Sequence, residues 1–370
     1  MNRLSKFLLS AALVLLLILI VTGSRQRRGL FRIDGPDPYL KLFSEVLTLV
    51  NKEYVDPLDL GEITSGAFNG LLSSLDRVSA YLPPDYLALY KLRQAGQAMD
   101  TGIRGLKRGN SFQITWLQPG SPAEAAGLKR GDLIRPAADE PDFALSRWTM
   151  QLSMFSEREE ELEFLVIPGG GAGRRLVRVR AMAPGPSALV ASPEPNQFQV
   201  SLRRIDNQAV ETLRQELPGA GPFSLLLDLR GCQDGDPQAL FSLGRLLLPV
   251  PLQLELREKK ETRQLLLGGG NPLSRPTLVL IDQSTLLEGE LLAALLQQAG
   301  ALVIGRPSLG IVAARGLLEF PAGDGVILAD GFYWLAGKEL HARGLKPDRV
   351  LSEKEMLKVP ARLGELLAGD

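Results

Sequence analysis

"IDQSTLLEGELLAALLQQAGALVIGRPSLGIV", residues 281–312, reads as strand, turn, helix, strand, turn. Working outward, the same alternation fills the second half of the chain. "FQVSLRRI" (198–205) reads as a strand and "NQAVETLRQEL" (207–217) as a helix. "FSLLLDLR" (223–230) has the continuous apolar character of a buried strand, and "PQALFSLGRLLL" (237–248) reads as a helix. "TLVLID" (277–282) is a strand, "EGELLAALLQQAG" (288–300) a helix and "ALVIG" (301–305) a strand. Alternation of this kind predicts an α/β domain whose strands are joined by crossover helices. Sites in such sheets lie beyond the carboxyl ends of the strands. That rule predicts one rim carrying "GCQDGD" (231–236), "QSTLLEG" (283–289) and "RPSLGIV" (306–312).

The chain of 370 residues is long enough for two or three domains. Basic and acidic residues balance at 42 each, so no broad positive field exists to hold nucleic acid. Cys232 is the only cysteine and His341 the only histidine, which excludes an intramolecular disulfide and a Cys/His metal site. No metal-ligand loop or cofactor motif is evident.

At the N-terminus, Arg3 and Lys6 precede an uncharged run from Phe7 to Gly23, followed by Arg25, Arg27 and Arg28. Its length falls between a signal-peptide core and a membrane span of about 20 residues. An uncleaved anchor and a cleaved signal are both open, and the anchor is the favoured expectation. Past the linker "RIDGPDPY", Leu40, Phe43, Val46, Leu47 and Val50 recur at helical spacing, and a second helix is expected to carry Phe68, Leu71, Leu72 and Leu75. These apolar residues read as the core of a small helical subdomain.

In "FQITWLQPGSPAEAAGLKRGDLI" (112–134), Ser121 and Glu124 have capping-box spacing, and Gly127 suits the left-handed residue that ends a helix. The stretch resembles a PDZ domain, with the similarity running from Gly102 to Ala181. Such domains bind extended peptide ends by strand addition. The resemblance implies an edge formed by Gly102, Ile103, Arg104, Gly105 and Leu106. "RPAADEPDF" (135–143) departs from the usual pattern and reshapes the expected groove.

A wider resemblance runs from about Tyr39 to Leu351. "EVLTLVNKEYVDP" (45–57), "GAFNGLLSSLDRVSAYL" (66–82), "LLLDLRGCQDG" (225–235), "GRPSLG" (305–310) and "GKELHARGLKPD" (337–348) carry it. Together they resemble the carboxyl-terminal processing peptidases, or tail-specific proteases. The family implies a Ser–Lys dyad oriented by a Gln. Aligned on Glu290 and Gly310, the serine position is Leu287, the lysine position Ile311 and the glutamine position Arg315. Asp234 stands where the family turn has glycine. Leucine and isoleucine have no lone pair and no transferable proton, so neither can act as nucleophile or base.

Ser284, Thr285 and Ser308 lie nearby, but turn formation and capping account for them, and the nearest downstream lysine is Lys338. Asp234 and Asp236 read as a solvated turn. The expected fold is α/β: a signal anchor or signal peptide (1–29), a helical subdomain (30–98), a PDZ-like domain (99–182), a peptidase-like core with a parallel or mixed sheet (183–356) and a tail (357–370). The expected function is that of a catalytically dead homologue, a membrane-tethered scaffold for an extended peptide or protein C-terminus. The alternative is an active serine endopeptidase with relocated chemistry, pairing His341 with Ser284 or Ser308. The expected place is the bacterial inner membrane, single pass, with the soluble region in the periplasm, or secretion after signal cleavage. A homo-oligomer is compatible with this reading.

Overall fold

The computed structural model describes residues 38–137, 146–171, 173–217, 223–269, 278–356 and 359. The apolar run Phe7–Gly23, most of the departure at 135–143 and nearly all of the tail lie outside the described residues. No helix among the described residues is long and apolar enough to cross a membrane. The chain divides into two compact units, up to Leu60 and from Gly61 onward. In the first, helix α1 (Pro38–Glu53) carries Leu40, Phe43, Val46, Leu47 and Val50 at helical spacing, but none of its residues is buried. Of the second set, Leu72 is buried while Phe68, Leu71 and Leu75 are exposed, so these residues do not form the expected core of a helical subdomain.

The second unit begins with α2 (Leu60–Ser73), strand β1 (Ala80–Leu82) and α3 (Pro84–Gln94). Two residues of β2 (Met99–Asp100) lead into β3 (Ile103–Arg108) and β4 (Ser111–Leu117). The short helix α4 (Pro122–Ala125), β5 (Leu133–Pro136), α5 (Arg147–Leu152), β6 (Phe155–Ser156), β7 (Glu160–Ile167) and β8 (Arg175–Ala181) follow. Strands β3, β4, β5, β7 and β8 form an antiparallel sheet in that order. Ser121 caps α4 by accepting the Glu124 amide at 3.3 Å. The Glu124 carboxylate returns to the amide of Gly120, at 2.7 Å, and Gly127 ends the turn at φ 76°. The local chemistry of 120–127 thus follows its sequence, with the return bond one residue earlier than in an ideal capping box.

The α/β half contains β9 (Ala188–Glu194), β10 (Gln197–Leu202), α6 (Asn207–Glu216), β11 (Ser224–Asp228), α7 (Pro237–Leu247), β12 (Leu252–Glu258) and β13 (Thr262–Leu267). It continues through β14 (Leu278–Ile281), α8 (Glu288–Gln298), β15 (Leu302–Gly305), β16 (Ala314–Glu319), β17 (Gly325–Leu335) and β18 (Lys338–Glu339). Strand β19 (Arg349–Val350) and α9 (Glu353–Met356) complete it. Strands β10, β11, β14, β15 and β19 pair in parallel, and β9 joins antiparallel to β10, so the sheet is mixed. Its central strands, "LLL" in β11 and "LVLI" in β14, are buried on both faces, as strands covered on both sides must be. A second sheet is antiparallel, in the order β1, β17, β12, β13, with β16 and β18 also on β17. Strand β1 ties residues 80–82 into this sheet.

Helix α8 is buried from Glu288 to Leu296. Its apolar side chains join the large core of the α/β half. Leu286, Leu287, Ile311 and Ala313 belong instead to a second core, shared with Ile103, Phe112 and Trp148 of the antiparallel half. The rim loops therefore sit between the two cores.

Candidate functional site

The loops after β11, β14 and β15 converge at the carboxyl edge of the parallel strands, as the alternation predicts. The Leu287 amide donates to the Ile311 carbonyl at 2.8 Å. The two positions aligned with the dyad are thus adjacent. Glu290 fixes the facing loop. One of its oxygens accepts the Gly310 amide at 2.9 Å and the hydroxyl of Ser308, and the other accepts the Ile311 amide at 3.0 Å. Leu287 and Ile311 are only 1% and 3% exposed. The space is filled by aliphatic carbon.

Leu287 has φ 52° and ψ −123°. A side chain rarely adopts this conformation, and holding it costs on the order of 1–3 kcal/mol. A sharp strand-to-helix turn of this kind presents the nucleophile in some hydrolases. Here the turn is present and a leucine occupies it.

Arg315 is buried and clamped. Its Nη1 donates to Glu288 Oε1 at 2.6 Å, and its Nη2 to Glu288 Oε2 at 3.2 Å and Asp234 Oδ1 at 3.0 Å. Asp234 also accepts from Gln94 at 2.9 Å, and Arg93 lies 3.7 Å away. Burial works to raise the Asp234 pKa, but Arg93 and Arg315 outweigh it and hold it below the usual carboxylate range. Burial raises that of Glu288, and Arg315 opposes this in part. The reading of Asp234 and Asp236 as one solvated turn needs correction. Asp236 is partly exposed and caps α7 through the Gln238 amide, but Asp234 is 2% exposed within an ion-pair network. Asp234 Oδ1 also takes the amide of Gly235 at 2.9 Å. That N–H is therefore not open to a developing oxyanion.

Other hydroxyls near the rim have internal partners. Ser284 donates to Thr115, and Thr285 donates to the Leu229 carbonyl at 3.0 Å. Ser308 bonds Glu290 and accepts the Leu345 amide at 2.7 Å. His341 sits with Nδ1 3.1 Å from the Val312 carbonyl and its ring on Phe332, with centroids 4.5 Å apart. Cys232 is buried, and its thiol pKa is pushed up by burial and then by Glu288 and Asp234. Among the described residues, no cluster of three His, Cys, Asp or Glu side chains has a metal-binding arrangement.

Gly102 to Leu106 form an edge of the five-stranded sheet, but they are buried. The Ile103 carbonyl accepts Arg104 Nη1 at 2.9 Å, and the Gly105 carbonyl accepts Gln233 Nε2 at 3.3 Å. Arg104 is anchored by Asp100, with Nη1 to Oδ1 at 2.9 Å. Two carbonyls along this edge are therefore engaged by the protein's own side chains. Sequence reasoning did not find the partners that link this edge to the rim, because Gln233 lies 128 residues from Gly105.

Residues 196–351 match the model of peptidase family S41. The chain is 24% identical over 324 residues to a carboxyl-terminal-processing protease of Synechocystis, covering 82% of this chain and 75% of that one. It is 20% identical over 361 residues to carboxy-terminal processing protease CtpA of Bacillus subtilis, covering 95% and 78%. Its fold is similar to that of the photosystem II D1 C-terminal processing protease, with TM-score 0.62 and 20% identity over 89% of this chain and 96% of that one. The chain therefore contains a peptidase family S41 domain, and its relatives include carboxyl-terminal processing proteases.

Proposed function

We propose that this protein is a catalytically inactive relative of those proteases, a membrane-tethered scaffold that holds an extended peptide or protein C-terminus in the cell envelope. One observation carries the loss of catalysis: the adjacent positions 287 and 311 are a leucine and an isoleucine, packed in a buried core. No proton can be taken or given there. The Arg315 clamp on Glu288 and Asp234 supports the same reading, because a fixed cation occupies the position of the family's orienting amide.

The five-stranded sheet with its short helices is the PDZ-like module in this reading, and Gly102–Leu106 its docking edge. A peptide strand would displace Gln233 and Arg104 from the Gly105 and Ile103 carbonyls, exchanging internal hydrogen bonds for intermolecular ones. Affinity for a single flexible peptide is then weak, because ordering it is unfavourable. Anchoring rests on the uncharged run Phe7–Gly23, with the remainder of the chain in the periplasm.

The test uses the purified full chain. Casein hydrolysis at background, with no adduct from a fluorophosphonate probe, is the expected result. A covalent adduct on Ser284, Ser308 or another serine, with cleavage lost on mutating that serine, overturns the loss of catalysis. Titration with varied C-terminal peptides tests the scaffold role, and no binding at millimolar concentration removes it.

A further inference from the structure

Buried charge where the five-stranded sheet meets the α/β half is closely matched. Arg104 pairs with Asp100, Arg204 with Asp206, Arg93 and Arg315 share Asp234, and Arg315 also holds Glu288. Arg203 breaks the pattern. It immediately follows β10, at the carboxyl edge of the parallel strands. Its Nε and Nη1 are buried without a hydrogen-bond partner among the described residues. Its guanidinium lies 5.0 Å from the centre of the Trp116 ring, which supplies a cation–π contact but no acceptor. Burial, followed by repulsion from Arg104, pulls its pKa down.

Arg203 lines a cavity of about 170 Å3, together with Arg93, Arg104, Arg204, Gln118 and Gln208. We propose that this cavity binds a small oxyanion, of the size of phosphate or a short carboxylate. Guanidinium groups offer only donors, and a buried donor without an acceptor is unfavourable. An oxyanion supplies acceptors and a negative charge to balance the guanidinium of Arg203. The Gln208 Oε1 already accepts from Ser187, which leaves its amide NH2 as a donor toward an anion. A metal cation does not suit the site, because Asp100, Asp206 and Asp234 are each held by an arginine. The space is large enough for a compact anion with accompanying water. The lining comes from α3, the end of β4, the residues after β10 and α6. A bound anion would therefore fasten the five-stranded sheet to the α/β half.

The experiment titrates the full chain with inorganic phosphate, and separately with acetate, against sodium chloride of matched ionic strength. Calorimetry and thermal unfolding are the readouts. The expected result is saturable binding of at least one oxyanion with a concentration-dependent rise in Tm. Arg203→Gln is expected to weaken that binding by about 10-fold or more. Without added anion, the variant should unfold no earlier than wild type, because two buried guanidinium donors without acceptors are gone. Binding of phosphate alone selects a tetrahedral ligand, and binding of acetate alone a planar one; either supports the site. Absence of saturable heat and of a Tm shift in the wild-type chain overturns the proposal, even if the variant fails to fold. Unchanged affinity in a folded Arg203→Gln variant also overturns it.

Discussion

Arg315→Gln installs the residue that the resemblance to the tail-specific proteases implies at this position, yet here it should be strongly destabilising. Arg315 is the principal cation on Glu288 and shares Asp234 with Arg93. The side chains of Arg315, Asp234 and Glu288 are 7%, 3% and 6% exposed, so solvent screens little of the loss. Removing one partner from a buried ion pair costs about 3–5 kcal/mol, because the remaining charge stays desolvated. Glu288 carries most of this, since Asp234 keeps Arg93 and Gln94. The sign of the pH dependence follows from linkage. Without Arg315, burial raises the folded-state pKa of Glu288 further above its unfolded value. A raised pKa contributes stability that is complete below the unfolded pKa and is lost as pH rises through the folded one. The deficit should therefore be about 3–5 kcal/mol at pH 8 and fall to about 1–2 kcal/mol near pH 4.5, where lost hydrogen bonds remain. Urea unfolding followed by tryptophan fluorescence measures it, with Trp148 5.9 Å from the Arg315 guanidinium as a local reporter. Adding Glu288→Gln should recover at least half of the loss at pH 8. A deficit below about 1 kcal/mol, well under the expected range, or one of equal size at both pH values, would refute the clamp.

Position 287 offers a reversal of a common rule. Leu287→Gly should be about 1–2 kcal/mol more stable than Leu287→Ala, since both lose the packing of the branched side-chain end and the relief of the backbone at φ 52° in glycine outweighs the loss of Cβ; urea midpoints that favour alanine would sink the strain assignment. Asp282 is buried, its Oδ2 has no hydrogen-bond partner among the described residues and lies 3.9 Å from Arg130, and its pKa is pushed up to about 6 by burial, against the Ser284 amide and Arg130. Its contribution is complete below about pH 4 and lost by about pH 6, so Asp282→Asn should stabilise by about 1–3 kcal/mol at pH 8 and change little at pH 4; equal effects in unfolding at the two pH values count against this. Grafting Leu287→Ser with Ile311→Lys should leave casein hydrolysis at background, because Arg315 remains clamped on Glu288 and Asp234 still holds the Gly235 amide. Robust turnover by that double variant would mean that the rim has stayed organised for chemistry.

The parallel strands and crossover helices were legible because their signals are local: continuous apolar runs of strand length alternate with helical spacing. Leu287 and Ile311, the positions aligned through Glu290 and Gly310, are joined by a 2.8 Å bond between their backbones. The antiparallel sheet of β12, β13, β16 and β17 went unread, although "LQLELRE" alternates in the manner of a half-buried strand. Asp234 was misread for a different reason. Beside Gly235 and Asp236 it has the composition of a solvated turn, and nothing local reveals Arg93, Gln94 or Arg315. Those partners arrive from helix α3 and strand β16, at separations of 140 residues for Gln94 and 81 for Arg315. An aspartate at a glycine position and an arginine at a glutamine position look like two independent departures from the family. In the folded chain they meet in one buried ion-pair network, in which Arg315 also holds Glu288 and Asp234 also faces Arg93. Because Glu288 has Arg315 as its principal cation, variants that neutralise Arg315 and Glu288 together should disturb the rim less than Arg315→Gln alone.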